Sequence, residues 1–351
     1  MNEIHAIHRI FGNAPVKIYH EPLQENHGIT GRIAYSKVGI QRYHAVFSDG
    51  SEVRFVGKRK TSRIVFNGMC MLSAGDPVLF LMLARSHKIF GYNRSVLRES
   101  QLYGAFDGDL RALVPQVYGS TASLLARESL VAMAELPKEV NKRVLYPALA
   151  AAAGFHAKYY GDAESAAKLL LNRYTAADYR RTRGCLRRIF DKLSKENEQC
   201  FGAEKIDCIH RFIDSIHTEF AAVSHRRTLT HNDYCVRNLR MHAKGLIIYD
   251  WELACFQSPE HDVVELLISV MAAMSDEEIR QALEYYRETL AGLTGMTCSD
   301  AEFAASLRFN TLEYIVNKLS LLRHASRSLG SSDMELLAAQ AARMMELLEI
   351  H

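Results

Sequence analysis

One short segment concentrates polar side chains at suggestive spacing. It reads Leu229-Thr230-His231-Asn232-Asp233-Tyr234-Cys235-Val236-Arg237-Asn238, and Tyr249-Asp250-Trp251-Glu252 follows it closely. Between the two, Leu239–Met241 alternates apolar and polar, His242-Ala243-Lys244-Gly245 is turn-like, and Leu246–Tyr249 is largely apolar. That pattern predicts a β-hairpin with its tip near Lys244. Asn238 and Asp250 lie equally far from that tip, so antiparallel pairing predicts them face to face, with Cα atoms roughly 4.5–5.5 Å apart. An amide oxygen beside a carboxylate is a hard donor pair, suited to Mg²⁺ that also takes nucleotide phosphate oxygens. Asp233, in the preceding loop, is then placed to accept or orient a hydroxyl proton for in-line attack on a γ-phosphate. Asx residues also cap turns and end strands, but three in one register around a hairpin favour the metal-and-base arrangement. Arg237 is placed either to stabilise transferring phosphate or to form a salt bridge within the loop.

The elements that must position these groups divide the chain in two. Tyr43–Phe47 and Val53–Gly57 read as strands joined by the turn Ser48-Asp49-Gly50-Ser51, with an earlier strand at Ile33–Val38. Asp76 and Pro77 form a helix start that runs to about Ile89. Ser95–Phe106 reads as a further helix, and Ala122–Leu136 as one or two strands. From Pro147 onward long helices dominate, interrupted once around 228–256. Leu145, Leu149, Ala152, His156 and Tyr159 share one helical face, which makes His156 a core histidine rather than a catalytic one. The expected fold class is therefore α+β: a small β-rich N-terminal lobe over residues 1–137 and a larger, mainly helical C-terminal lobe over 138–351, meeting near Pro137–Lys142.

Composition excludes several alternatives. With 48% hydrophobic and 24% charged residues, the chain has material for a sizeable core and is neither disordered nor fibrous. A formal net charge of +3 is too mild to point to nucleic acid. The longest apolar run, Val78–Ala84, is far shorter than the roughly 20 residues of a membrane span. The N-terminus lacks a secretory pattern, and the seven cysteines contain no C-x-x-C pair. Reduced thiols in a cytoplasmic protein are the expectation, without disulfides or structural zinc.

The segment 229–252 resembles the catalytic core of the aminoglycoside phosphotransferase and choline kinase group, small-molecule relatives of the protein kinases. His231, Asn232, Asp233, Asn238, Asp250, Trp251, Glu252 and the downstream Asp262 match the group's pattern; the Asn after the histidine is closer to choline kinases. The resemblance implies a bilobal protein-kinase-like fold in which Asp233 is the catalytic base and Asn238 and Asp250 hold Mg²⁺. It further implies a strand lysine for the ATP phosphates, held by a helix glutamate. Lys58, in Phe55-Val56-Gly57-Lys58, stands at that strand position, with Lys60 as the second candidate. Glu99 precedes Tyr103 in an E-x-x-x-Y pattern, before Val114-Pro115-Gln116-Val117-Tyr118-Gly119. Met133-Ala134-Glu135-Leu136 resembles the hinge that receives adenine, making Met133 and Glu135 cofactor-site candidates.

Two features depart from the group. The nucleotide loop expected at Ser36–Arg42 contains only Gly39, and the long interval from Lys58 to Glu99 implies an inserted element, covering the nucleotide site or offering an interaction surface. The cluster Arg180-Arg181-Thr182-Arg183-Gly184-Cys185-Leu186-Arg187-Arg188 is either a solvated helical face or a site for an anionic acceptor or partner. The expected activity is ATP- and Mg²⁺-dependent phosphorylation of a small-molecule hydroxyl, on an amino alcohol, an aminoglycoside-like compound or another metabolite. The alternatives are a kinase-like binding protein without turnover and a protein kinase, and the absence of an Asp-Phe-Gly or Ala-Pro-Glu sequence, and with it of the usual activation segment, counts against the latter.

Overall fold

The computed structural model describes residues 2–22, 39–61, 63–90, 95–123, 128–136, 139, 143–328 and 334–351. The expected strand at Ile33–Val38, the Ser36–Val38 part of the expected nucleotide loop and most of the Pro137–Lys142 boundary lie outside them. Gly39–Arg42 of that loop is not a loop but the start of a strand that runs to Phe47.

The N-terminal region is built on a five-stranded antiparallel sheet of order β1-β2-β3-β5-β4. Its strands are β1 (Pro15–Pro22), β2 (Gly39–Phe47), β3 (Glu52–Thr61), β4 (Val117–Ser123) and β5 (Glu128–Met133). The β2–β3 hairpin closes as its turn residues predict, with the Phe47 N–H donating to the Ser51 carbonyl at 2.9 Å. Strand β1 and the preceding helix α1 (Glu3–Phe11) were not legible: β1 lies on the sheet edge with a proline at each end, where proline is tolerated but masks the strand pattern. Strand β4 begins at Val117, ahead of the expected Ala122.

Alternation along β3 assigns the two sheet faces. Phe55 packs with Tyr43, Ala45, Phe47 and Leu130 under α1, while Val56 faces the main core with Val131 and Met133. Lys58 and Lys60 follow Val56 at period two and share its face. Gly57 lies on the opposite face against the Tyr43 ring, where a Cβ would come within 2.4 Å of Cε2.

Helices α2 (Arg63–Leu72), α3 (Pro77–Ser86), α4 (Ser95–Ala105) and α5 (Gly108–Ala112) connect β3 to β4. Asp76 caps α3, accepting from the Leu79 N–H at 3.0 Å. The interval between Lys58 and Glu99 thus contains two helices, and these dock on the helical region: Arg188 and Lys192 each reach Asp76 at 2.9 Å, and the His324 ring bonds the Leu72 carbonyl.

The helical region comprises α6 (Leu145–Lys158), α7 (Ala163–Lys168), α8 (Ala176–Asp191), α9 (Ser194–Val223, broken at Gly202), α10 (Glu260–Val270), α11 (Asp276–Thr294), α12 (Asp300–Glu313), α13 (Ser320–Ser328) and α14 (Met334–Leu347). A π-helical turn, Tyr314–Leu319, joins α12 to α13. Strands β6 (Thr228–Thr230) and β9 (Cys255–Gln257) pair antiparallel, and the hairpin β7 (Leu239–His242) and β8 (Gly245–Ile248) lies between them in sequence. All seven cysteines are free. Among the described residues, no helix is long and apolar enough to cross a membrane.

Candidate active site

The loop after β6 is held from several sides. Asp262, fully buried on α10, accepts the backbone N–H groups of His231 at 2.7 Å and Asn232 at 2.9 Å. His156 donates or accepts between the same carboxylate (3.2 Å) and the Tyr286 hydroxyl (2.7 Å), the satisfied core role that its helical face implied. The His231 ring contacts the Tyr249 carbonyl at 3.0 Å and packs on Trp251, itself buried against Phe106 and Phe155. Asn232 takes a left-handed conformation (φ 59°), which Asx side chains tolerate best among residues with a Cβ.

This scaffold presents Asp233. Its Oδ1 receives Arg237 at 2.5 Å and Lys318 at 2.7 Å, and its Oδ2 receives the Asn238 amide at 2.7 Å. Burial disfavours the charged carboxylate, but Lys318 and Arg237 outweigh that cost and hold its pKa well below the usual range. Arg237 therefore forms the loop salt bridge in this structure. Lys318 comes from the π-turn and also bonds the Asn232 carbonyl at 2.9 Å and pairs with Glu265. No sequence pattern announced Lys318: it lies eighty-odd residues from the loop, and only the fold makes them neighbours.

The hairpin differs from expectation by one residue. Leu239 pairs with Ile248 and His242 with Gly245, so the loop is the two-residue Ala243-Lys244 and Asn238 opposes Tyr249, not Asp250. The Tyr249 N–H donates to the Asn238 carbonyl at 3.1 Å. A two-residue connection is the commonest tight hairpin, and a one-residue change of register exchanges the faces of every side chain. Asp250 leaves the ladder in a left-handed conformation (φ 69°, ψ 51°), which turns its carboxylate toward β3.

There a second cluster forms. Lys58 Nζ lies 2.9 Å from Glu99 Oε1, 2.5 Å from Asp250 Oδ1 and 3.6 Å from Glu252 Oε2. Burial opposes its charge, yet Asp250 and Glu99 prevail and raise its pKa. Lys60, on the same strand face, pairs with Glu252 and lies 3.5 Å from Glu99 Oε2; burial and the neighbouring Lys58 lower its pKa to about 8. The Tyr103 hydroxyl donates to Glu99 and accepts from the Asp250 N–H, so the E-x-x-x-Y helix α4 touches both carboxylate-bearing segments. Buried Arg98 ties α4 to the Glu252 carbonyl at 2.8 Å. Carboxylate oxygens of Glu99, Asp250 and Glu252 come within 4.8 Å of one another. Three carboxylates against two ammonium groups form a hard, net-negative donor set, the chemistry a divalent cation requires.

The remaining candidates stand apart from these clusters. Met133 pairs with Val56 on the face that carries Lys58, but its side chain is core. Glu135 lies beyond β5 and is bound by Arg42 across the sheet, its Nε donating at 2.9 Å. In the arginine cluster, Arg187 and Arg188 are taken by Asp214 and Asp76, whereas Arg180, Arg181 and Arg183 are exposed on α8.

A sheet lobe whose strand lysine meets a helix glutamate, above a helical lobe that holds the loop aspartate, is a bilobal protein-kinase-like arrangement. A family model described as the phosphotransferase enzyme family matches residues 73–297, and the chain belongs to that family. Among solved structures, choline kinase LicA from Streptococcus pneumoniae is similar at 13% identity and a TM-score of 0.50, covering 96% of this chain and 95% of that one. A macrolide 2'-phosphotransferase type I is similar at 13% identity and a TM-score of 0.44, covering 96% and 94%. Aminoglycoside 2'-phosphotransferase-IIIa, solved as a GDP complex, is similar at 13% identity and a TM-score of 0.44, covering 99% and 98%. No curated protein sequence matches the chain.

Proposed function

We propose that the protein is an ATP- and Mg²⁺-dependent O-phosphotransferase that moves the γ-phosphate to a hydroxyl of a small molecule. The observation that carries this reading is the juxtaposition, at one end of the β7–β8 hairpin, of a lysine–carboxylate cluster suited to nucleotide phosphate and a buried, ionised aspartate suited to an alcohol.

In this reading Lys58, fixed by Glu99, binds the α- and β-phosphates, and Met133 and Glu135 mark the strand end that leads to the adenine site. Asn238 and Asp250 would hold Mg²⁺, which when bound neutralises charge on the phosphate oxygens. Asp233 orients the acceptor hydroxyl. The acceptor oxygen bonds the γ-phosphorus as the bridging P–O bond breaks, ADP leaves with that electron pair, and the hydroxyl proton passes to Asp233 and on to solvent. Its depressed pKa makes Asp233 a weak base but a permanent anion. That suits a loose phosphoryl transition state, in which positioning and electrostatics matter more than early proton removal.

The test is a thermal-shift titration with ATP, with and without Mg²⁺, joined to a mass-based screen of hydroxylated metabolites and antibiotics for phosphate addition. Mg²⁺-dependent stabilisation and an added phosphate are expected. Stabilisation by Mg·ATP without transfer to any alcohol would instead favour a binding protein.

A further inference from the structure

We infer that Lys318 is a positioning residue for phosphoryl transfer: together with Glu265 it braces the catalytic loop over Asn232, Asp233 and Tyr234 and leaves Oδ2 of Asp233 to meet the acceptor hydroxyl. The inference rests on the phosphotransferase reading above and adds to it a residue from outside the catalytic segment.

An ammonium has three N–H donors and no acceptor. Lys318 directs its donors to three oxygens of one small region: the Asn232 carbonyl at 2.9 Å, Asp233 Oδ1 at 2.7 Å, and Glu265 Oε1. Glu265, buried on α10, turns its other oxygen to the Tyr234 N–H at 3.0 Å. Three consecutive loop residues are thus held by one lysine–glutamate pair, through a carbonyl, a carboxylate and an N–H. The first of them, Asn232, is the loop residue in the left-handed conformation, which a residue with a Cβ keeps only where its surroundings hold it. Burial opposes the charge on Lys318, but Asp233 and Glu265 prevail and raise its pKa, so it stays an ammonium.

The two cations on Asp233 Oδ1 do different things. Arg237 pairs with it from within the loop, four residues on, and its side chain is 52% exposed. A partner that travels with the loop cannot anchor it. Lys318 is 14% exposed and ties the loop to α10 and to the π-turn. In that turn the Ser320 N–H and hydroxyl both bond the Ile315 carbonyl, five residues back. Such an irregularity, inserted between α12 and α13, is the kind often found at functional sites. With its three donors engaged, Lys318 has none left for a phosphate oxygen, so its effect on transfer runs through Asp233. Oδ1 carries both cations, whereas Oδ2 accepts the Asn238 amide and keeps a lone pair for the acceptor hydroxyl.

The test measures ADP release from Mg·ATP, first with water in the acceptor's place and then with whichever alcohol the mass screen shows to be phosphorylated. Lys318→Met keeps the length of the side chain and removes its donors. It should lower kcat about 10–100-fold, the scale of a catalytic group displaced by up to an ångström. The KM for ATP should stay within about twofold, as for an interaction made only in the transition state, and the Mg·ATP thermal shift should persist. Lys318→Arg should recover part of the loss. If Lys318→Met does not fold, Glu265→Gln gives the same readout, a lower kcat at steady KM. The decisive comparison is the double variant. With Asp233→Asn already present, Lys318→Met should lower kcat by no more than about twofold further, because a residue that acts through Asp233 has nothing left to act on. Unchanged kcat in the folded single variants, a loss confined to KM, or losses that multiply in the double variant would each overturn the inference and leave the phosphotransferase reading intact. No ADP release from the wild type with water or any alcohol would overturn that reading, and this inference with it.

Discussion

The two halves of the site solve the same problem with different charge arithmetic. On the side proposed for the nucleotide, Lys58 and Lys60 face Glu99, Asp250 and Glu252, which leaves one carboxylate in excess. On the side proposed for the acceptor, Lys318 and Arg237 face Asp233 and Glu265, which leaves none. An excess of buried negative charge is costly unless a cation joins it, and under the proposed function a divalent cation would supply that charge at the Lys58 side. The Asp233 side, with two cations on two carboxylates, carries no such excess. The difference teaches that lysine–carboxylate pairing can leave a cluster in excess or in balance, depending on the count.

Substitutions can separate the halves. The largest effect is expected from Asp233→Asn, which keeps size and removes the anion: transfer should fall at least ~100-fold, the lower end of general acid–base contributions, while Mg·ATP still stabilises the protein. Unaltered turnover would remove Asp233 from the mechanism. Asp250→Ala should act on the other half, weakening Mg·ATP binding by about 10–100-fold or more, the range seen even for groups that only support metal ligands. Calorimetric titration giving equal affinity would refute its metal role.

Smaller effects should come from the framework beneath each half. Gly57→Ala places a methyl against Tyr43, whose ring stacks on Phe55 at 4.9 Å, and the strand carrying Lys58 must shift. Overpacking of this kind costs roughly 1–3 kcal/mol, read from chemical denaturation; an unmoved midpoint would mean the sheet absorbs the methyl. Asp76→Asn touches neither half and should leave turnover intact while lowering Tm modestly. Arg188, the Leu79 N–H and Lys192 hold the Asp76 carboxyl well below the usual carboxylate range. Because its native pKa is depressed, its stabilisation is fully present above the unfolded value of about 4 and is lost as pH falls toward the native value. The Tm gap between wild type and variant should therefore be steady near neutrality and narrow in acid. A constant gap would assign the effect to capping geometry alone.

Much of the Lys58–Glu99–Asp250 cluster was legible. The His231–Asn238 spacing, the strand ending in Lys58, and Glu99 followed by Tyr103 are local patterns, and the fold brings Lys58, Glu99 and Asp250 within salt-bridge distance. The hairpin itself was legible too, but not its register, because alternation fixes where strands lie more firmly than which residue turns the corner. That one residue decided whether Asp250 faced Asn238 or swung toward β3. Helix α2 and strand β1 escaped notice because prolines, charges and mixed polarity obscure their periods.

The linear order of residues settled the chemistry available: an aspartate in a tight loop, an amide and a carboxylate flanking a hairpin, and a lysine on an extended strand. Those are local facts, set by backbone preference and side-chain type within a few residues. Tertiary structure decided the charge each group carries and what it can receive, since that depends on neighbours from remote segments. Lys318 arrives at Asp233 through a π-turn, and Lys60 meets Glu252 across the two lobes. Electrostatic energy follows distance in space rather than separation along the chain, so only the folded molecule could determine it.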